Sequence, residues 1–150
     1  MVVSPDVGSV ARARAFAMKL GLDLAIVDKR REKANQSEVM NIIGNVEGKN
    51  VIILDDMVDT AGSLCGAAKA LKELGGANKI YACASHGVLS GPALERLENS
   101  ALEELLLFDT IPYPAGQPKV DKIRYLSAAP VFAASIHRIY EDESLASLFE

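Results

Sequence analysis

The stretch Val51-Ile52-Ile53-Leu54-Asp55-Asp56-Met57-Val58-Asp59-Thr60-Ala61-Gly62-Ser63 concentrates more chemistry than any other part of the chain. An apolar run of strand type delivers two carboxylates, Asp55 and Asp56, at its carboxyl end, and a turn of small and hydroxyl residues then opens a helix. Between Asp59 and Ser63, several backbone N–H groups and the hydroxyls of Thr60 and Ser63 can be aimed at one point, in the favourable field of a helix N-terminus. Such a pocket suits a phosphate. Asp55 and Asp56 would repel a phosphate set beside them, yet they accept hydrogen bonds from hydroxyls a few ångströms away. A ligand with a phosphate at one end and vicinal hydroxyls at the other satisfies both halves; a sugar phosphate is one. The plainer alternative has Asp59 or Thr60 capping the helix and the acidic pair solvated.

Two further groups of residues stand at strand ends. Residues 29–37 (KRREKANQS) are polar and without periodicity, which predicts an exposed, mobile loop directly after a strand. Lys29, Arg30, Arg31 and Lys33 on that loop are suited to closing over phosphate oxygens, Arg by forking onto two of them and Lys as a point charge. Taken alone, the same run reads first as a solvated loop; its position directly after a strand, on the ligand-binding side of the sheet, favours the closing role instead. Asp6 follows Ser4-Pro5 and precedes Gly8-Ser9; it reads either as part of a capping turn or as a carboxylate able to hold magnesium through water. His86 stands in a strand-to-helix loop, where a structural hydrogen bond is as reasonable as ligand contact, and His137 falls on a surface or interface helix. Neither is assigned catalysis.

The elements that must position these residues alternate along the whole chain. Residues 8–20, 61–74, 92–97 and 130–140 have helical character, with Gly21 and Gly75-Gly76 as stops. Val2-Val3, Leu24-Ala25-Ile26-Val27, Val51-Ile52-Ile53-Leu54, residues 79–84 and Leu105-Leu106-Leu107-Phe108 read as strands. Strands apolar on both faces and separated by helices predict a single α/β domain over residues 1–150: a doubly wound, mainly parallel sheet flanked by helices. In such sheets ligands bind beyond the carboxyl ends of the strands. Residues 109–122, with three prolines and a glycine, are expected to be irregular.

Composition narrows the classes. The 150 residues are 49% hydrophobic and 24% charged, ordinary for a globular domain. With 16 Lys and Arg against 20 Asp and Glu, the net charge of -4 argues against a nucleic-acid binder that works by neutralising phosphates. No apolar run approaches the roughly twenty residues of a membrane span, and the first residues do not have the pattern of a signal peptide. Cys65 and Cys83, in apolar surroundings, read as reduced, packed thiols suited to the cytoplasm.

The segment from Val51 to Ser63 resembles the phosphoribosyl-diphosphate binding motif of the type I phosphoribosyltransferase fold. Val2-Val3-Ser4-Pro5-Asp6, Asp28-Lys29-Arg30-Arg31, Ser85-His86-Gly87-Val88-Leu89-Ser90-Gly91-Pro92, Asp109-Thr110-Ile111-Pro112 and the tail from Glu143-Ser144 to Leu148-Phe149 look like ribose-phosphate pyrophosphokinases. The likeness runs the length of this chain and covers the C-terminal half of that family.

The resemblance implies transfer of the β,γ-diphosphoryl group of ATP, with magnesium, to the 1-hydroxyl of ribose 5-phosphate. It implies that Asp55 and Asp56 hold the ribose hydroxyls and that Asp59, Thr60, Ala61, Gly62 and Ser63 surround the 5-phosphate. Lys29 and Arg31 match the catalytic loop, Asp6 a carboxylate near a second metal, and Ser144 and Phe149 tail residues that bear on a regulatory phosphate or nucleotide site between subunits. ATP and a metal-binding histidine are expected to belong to an N-terminal half and a neighbouring subunit. The chain is therefore expected to retain a ribose 5-phosphate site, to be inactive alone, and to form homo-oligomers. Two other readings are a base phosphoribosyltransferase, which would share the Asp55–Ser63 segment, and a non-catalytic regulatory protein associated with the synthetase.

Overall fold

The computed structural model describes residues 1–30 and 39–148, with Lys29, Arg30 and Val39 placed by their backbones. Among the described residues the strands are β1 (Val2–Ser4), β2 (Leu24–Arg30), β3 (Val39–Ile43), β4 (Val51–Val58), β5 (Ile80–Gly87), β6 (Glu104–Phe108) and β7 (Ile123–Leu126). The helices are α1 (Val10–Lys19), α2 (Gly62–Glu73), α3 (Ala93–Glu98) and α4 (Ala129–Tyr140), and Ala146–Leu148 forms one 3-10 turn. The strands make one sheet in the order β3-β2-β1-β4-β5-β6-β7. Every pairing is parallel except β2 with β3. The expected doubly wound α/β architecture is present.

That order has a physical consequence. From β1 the sheet is extended in both directions, to β2 on one side and β4 on the other, so the connections leaving β1 and β4 splay apart. This is the topological switch point of an open parallel sheet, where a crevice forms beyond the carboxyl ends of the strands.

The cover on the two faces is unequal. On one, Leu64, Ala67, Ala68 and Leu71 of α2 and Ala93 and Leu97 of α3 join Ile53, Ile80, Ala82, Leu105 and Leu107 in the main core. On the other, Ala13 and Ala17 of α1 pack on Val2, with Phe16, Leu24, Ile52 and Leu54 around them. Beyond α1 that face is uncovered: Leu54, Cys83, Leu106 and Leu126 border an apolar cavity of about 210 Å3. α4 contributes no buried residue, and its Phe132 and Ile136 are 61% and 66% exposed. No described helix is long and apolar enough to cross a membrane.

α2 ends where Gly75 permits a close approach. A Cβ there would lie 2.5 Å from Val46 Cγ2 and 2.9 Å from the Leu71 carbonyl oxygen.

Three expectations need correction. Lys29 and Arg30 belong to β2, in register with Met40 and Val39, rather than to the loop expected over residues 29–37, whose remaining residues, 31–37, lie outside the described residues. β4 runs on to Val58, which places Asp55 and Asp56 inside the strand rather than beyond it. β3 and β7 are strands that the apolar pattern does not announce. Residues 109–122 carry no helix or strand, as expected.

Candidate functional site

The carboxyl ends of β1 and β4 converge on a cleft of about 180 Å3 lined by Asp6, Asp55 and residues 57–64. It lies at the switch point, and its size fits a phosphate and part of a sugar rather than a whole nucleotide. A larger concavity, about 750 Å3, lies between α2 and the α3 region, lined by Gly62, Cys65, Lys69, Arg96 and Ser100 among others.

The floor of the cleft is the β4–α2 connection. Ala61 is the residue before the first turn of α2 and adopts φ +58°, a left-handed conformation that costs a residue with a Cβ. It has no side-chain acceptor, and no side chain caps this helix. The first bond from the turn is Cys65 N–H to Ala61 O at 3.0 Å, so the amides of Gly62, Ser63 and Leu64 precede the hydrogen-bonded ladder. Asp59 does not cap the helix. Its Oδ1 accepts the Ser90 hydroxyl instead. An uncapped helix N-terminus flanked by the hydroxyls of Thr60 and Ser63 is an anion site in waiting.

The acidic pair diverges. Ile52 and Leu54 face α1 while Ile53 enters the opposite core, so residues of alternate parity leave β4 on different sides. Asp56 Oδ2 accepts Arg12 Nη2 from α1 at 2.9 Å, and that hydrogen bond holds its carboxyl below the ordinary range. Asp55 lines the cleft with Asp6. Burial raises its carboxyl from 3.8 to about 6; the Asp56 N–H, 2.9 Å from Oδ1, opposes the rise, and the negative charges of Asp56 and Asp6 add to it. Asp55 is therefore an acceptor held close to its protonation point.

Asp6 Oδ1 accepts the Ser9 N–H at 2.7 Å just ahead of α1, while Ser4 Oγ donates to the Asp6 carbonyl at 2.7 Å. It has a structural task and also an edge on the cleft. Among the described residues no three His, Cys, Asp or Glu side chains converge as a metal cage. Lys29 is on β2, on the far side of β1 from β4. Arg31 and Phe149 lie outside the described residues. The Ser144 carbonyl accepts Arg138 Nη1 at 2.9 Å, and its hydroxyl caps the Ala146 N–H at 3.2 Å.

His86 is structural in its hydrogen bonding. The Thr110 hydroxyl donates its one proton to Ser85 O at 2.9 Å, so in the 2.8 Å contact between His86 Nδ1 and Thr110 Oγ1 the ring nitrogen donates. His137 is exposed on α4.

Arg12 and Arg96 contact the site region and were not signalled by the sequence. Their partners, Asp56 and the Thr60 carbonyl, are distant in the chain and come near only once the sheet forms.

Comparison with known proteins gives one consistent family. The phosphoribosyl synthetase-associated domain matches residues 29–150. A ribose-phosphate pyrophosphokinase of Clostridium perfringens is 58% identical over 150 residues, 100% of this chain and 46% of the relative. One of Caldanaerobacter subterraneus is 59% identical over 149 residues, 99% of this chain and 46% of the relative. The chain thus spans about half the length of the curated relatives it matches. The crystal structure of phosphoribosylpyrophosphate synthetase from Mycobacterium smegmatis superposes with a TM-score of 0.83 and 37% identity, covering 94% of this chain and 45% of that one. An orotate phosphoribosyltransferase from Aeropyrum pernix, 15% identical with a TM-score of 0.58 over 91% of this chain and 64% of that one, shares the fold.

Proposed function

The chain belongs to the phosphoribosyl synthetase-associated domain family, and on that premise we propose that it supplies the ribose 5-phosphate half of a ribose-phosphate diphosphokinase site. The observation that carries this is the uncapped N-terminus of α2 at the sheet's switch point, beside the Asp55 carboxylate, which has no cation partner among the described residues. The amides of Gly62, Ser63 and Leu64 and the hydroxyls of Thr60 and Ser63 receive the 5-phosphate, aided by the helix dipole. Asp55, ionised at neutral pH, accepts a ribose hydroxyl, whereas Asp56, on the other side of β4 and held by Arg12, stands outside the cleft lining and is left to position its neighbour. The sugar is thereby anchored at both ends, which orients its 1-hydroxyl for attack on the β-phosphorus of ATP; the bond from that phosphorus to the α–β bridging oxygen breaks, AMP leaves, and the hydroxyl proton passes to solvent. Lys29, on β2, and Arg31, two residues on in the sequence, are the proposed cations for the charge that spreads over the transferred oxygens.

Magnesium fits these residues. Such an ion takes one or two carboxylates and completes its shell with phosphate oxygens and water, and Asp6 and Asp55 line one cleft without forming a closed cage. Asp6 would hold it, and when bound it neutralises phosphate charge.

ATP is assigned to parts of the synthetase beyond residues 1–150 and to a neighbouring subunit, because no second phosphate loop is recognisable here. The exposed apolar side of α4 is the proposed place of association with further copies. Two unpaired, half-buried thiols suit a cytoplasmic location.

A non-catalytic regulatory reading draws on the family description itself. Calorimetric titration of the chain with ribose 5-phosphate, then ATP, separates the two. Binding of ribose 5-phosphate that weakens about 10- to 100-fold in Asp55→Asn, the loss of one charge-assisted hydrogen bond, supports the substrate site. Failure to bind ribose 5-phosphate, or binding indifferent to Asp55→Asn, overturns it. ATP turnover by the chain alone would overturn the assignment of ATP elsewhere.

A further inference from the structure

We infer that Arg96 is a positioning residue that aims the backbone of the phosphate loop without touching the ligand; the inference rests on reading the β4–α2 loop as the phosphate site. Three consecutive carbonyls at the end of β4 are pinned by one neighbouring segment. Val58 O accepts the N–H groups of Val88 and Leu89 at 3.0 and 3.1 Å, Asp59 O accepts the Ser90 N–H at 3.1 Å, and Thr60 O accepts Arg96 Nη1 at 2.9 Å. The Ser90 hydroxyl adds a bond to the Asp59 carboxylate. In a trans peptide the carbonyl of one residue and the N–H of the next point in opposite directions. Drawing the carbonyls of residues 58, 59 and 60 toward the β5–α3 segment therefore turns the N–H groups of residues 59, 60 and 61 away from it. The cleft is on that other side: Asp6, Asp55 and residues 57–64 line it, and nothing from residues 88–98 does.

Arg96 holds the critical link. Ala61 sits at φ +58°, and such a strained conformation in a residue with a Cβ persists only where its surroundings over-determine it. The first two carbonyls are fixed by backbone donors, which any side chain leaves in place. The carbonyl of the peptide that leads into Ala61 is fixed by the guanidinium of Arg96. The same group lies 3.3 Å from the point a Cβ on Gly62 would occupy, against the back of the first turn of α2. Arg96 is exposed and contributes nothing to the core, so its removal reaches the loop and not the fold.

The test compares the chain with Arg96→Met, which keeps length but loses charge and donors, and Arg96→Lys, which keeps a charged donor. Each is titrated with inorganic phosphate and with ribose 5-phosphate by calorimetry, in 0.1 M and 0.5 M KCl, and its ligand-free thermal unfolding and Ala61 amide resonance are recorded. Arg96→Met is expected to weaken both ligands about tenfold (about 1.4 kcal/mol) at both salt concentrations, to shift the ligand-free Ala61 amide, and to leave the melting temperature within about 2 °C. Arg96→Lys is expected to recover most of the affinity. A defect that disappears at 0.5 M KCl would show a screened long-range charge and overturn the inference, as would unchanged affinity in Arg96→Met or an unmoved Ala61 amide. If the unsubstituted chain binds neither ligand, the phosphate-site reading falls, and the Ala61 resonance still decides whether Arg96 sets the loop.

Discussion

Replacing Asp55 by Asn should make the ligand-free chain more stable while weakening the proposed binding of ribose 5-phosphate about 10- to 100-fold. In the unfolded chain this carboxyl ionises near 3.8, and in the folded chain burial holds it back to about 6. Between those values the folded state keeps a proton that the unfolded state has lost. Stability therefore falls as pH rises from about 4 to about 6 and is level above that window. At 1.36 kcal/mol per tenfold change in acidity, the rise corresponds to about 3 kcal/mol; Asp55 is only partly buried, and solvent screening halves that to roughly 1.5 kcal/mol. Asn keeps an oxygen that can accept the Asp56 N–H, now 2.9 Å from Asp55 Oδ1, so that local bond survives. Thermal unfolding by circular dichroism, without added metal, at pH 4 and at pH 7.5, reads the effect. At pH 7.5 the variant should melt about 3–6 °C higher for a chain of this size, and near pH 4 the difference should shrink toward zero. An equal or lower melting temperature at pH 7.5, or an advantage of the same size at both pH values, would refute the reasoning.

Two further outcomes concern the scaffold. Gly75→Ala should lower stability by about 1–3 kcal/mol, because its Cβ would meet Val46 and, at 2.9 Å, the unyielding Leu71 carbonyl; denaturant titration checks it. Tyr125→Phe should be neutral or stabilise by up to about 1 kcal/mol, because the Tyr125 hydroxyl is buried without a partner among the described residues, beside the edge-on ring of Tyr113, and a measurable loss of stability would reveal an unseen acceptor.

How much of this is legible in the sequence depends on the range of the interactions involved. The Val51–Val58 strand, the turn after it and the helix from Gly62 are written locally, in apolar runs, small residues and a change of period, and the phosphate-loop reading follows from them. β3 is hidden because Asn41 interrupts its apolar run and its partner is the tail of β2, where Lys29 and Arg30 look like loop residues. β7 is an edge strand of four residues, with only Ile123 buried. The opposed surroundings of Asp55 and Asp56 follow from strand parity once β4 is known to continue through them. Arg12 and Arg96 have no local signal at all: each meets the site through contacts across 44 and 36 residues of chain, which only the sheet order brings about.

The order of the strands also bears on how the sheet can be built. β1 pairs with β2 and with β4, and Val2 opposite Ile52 is the longest closure in the sheet. After it, β5, β6 and β7 each add to the strand that came immediately before. As the chain lengthens from its N-terminal side, β2 adds to β1 and β3 to β2, the switch point closes when β4 arrives, and β5, β6 and β7 then extend one edge outward, every new strand meeting a partner already in place. Shortening from the C-terminal side as far as β5 exposes a fresh edge and opens no gap within the sheet, so the crevice between β1 and β4 is complete before those three strands are added and is untouched until trimming reaches β4 itself.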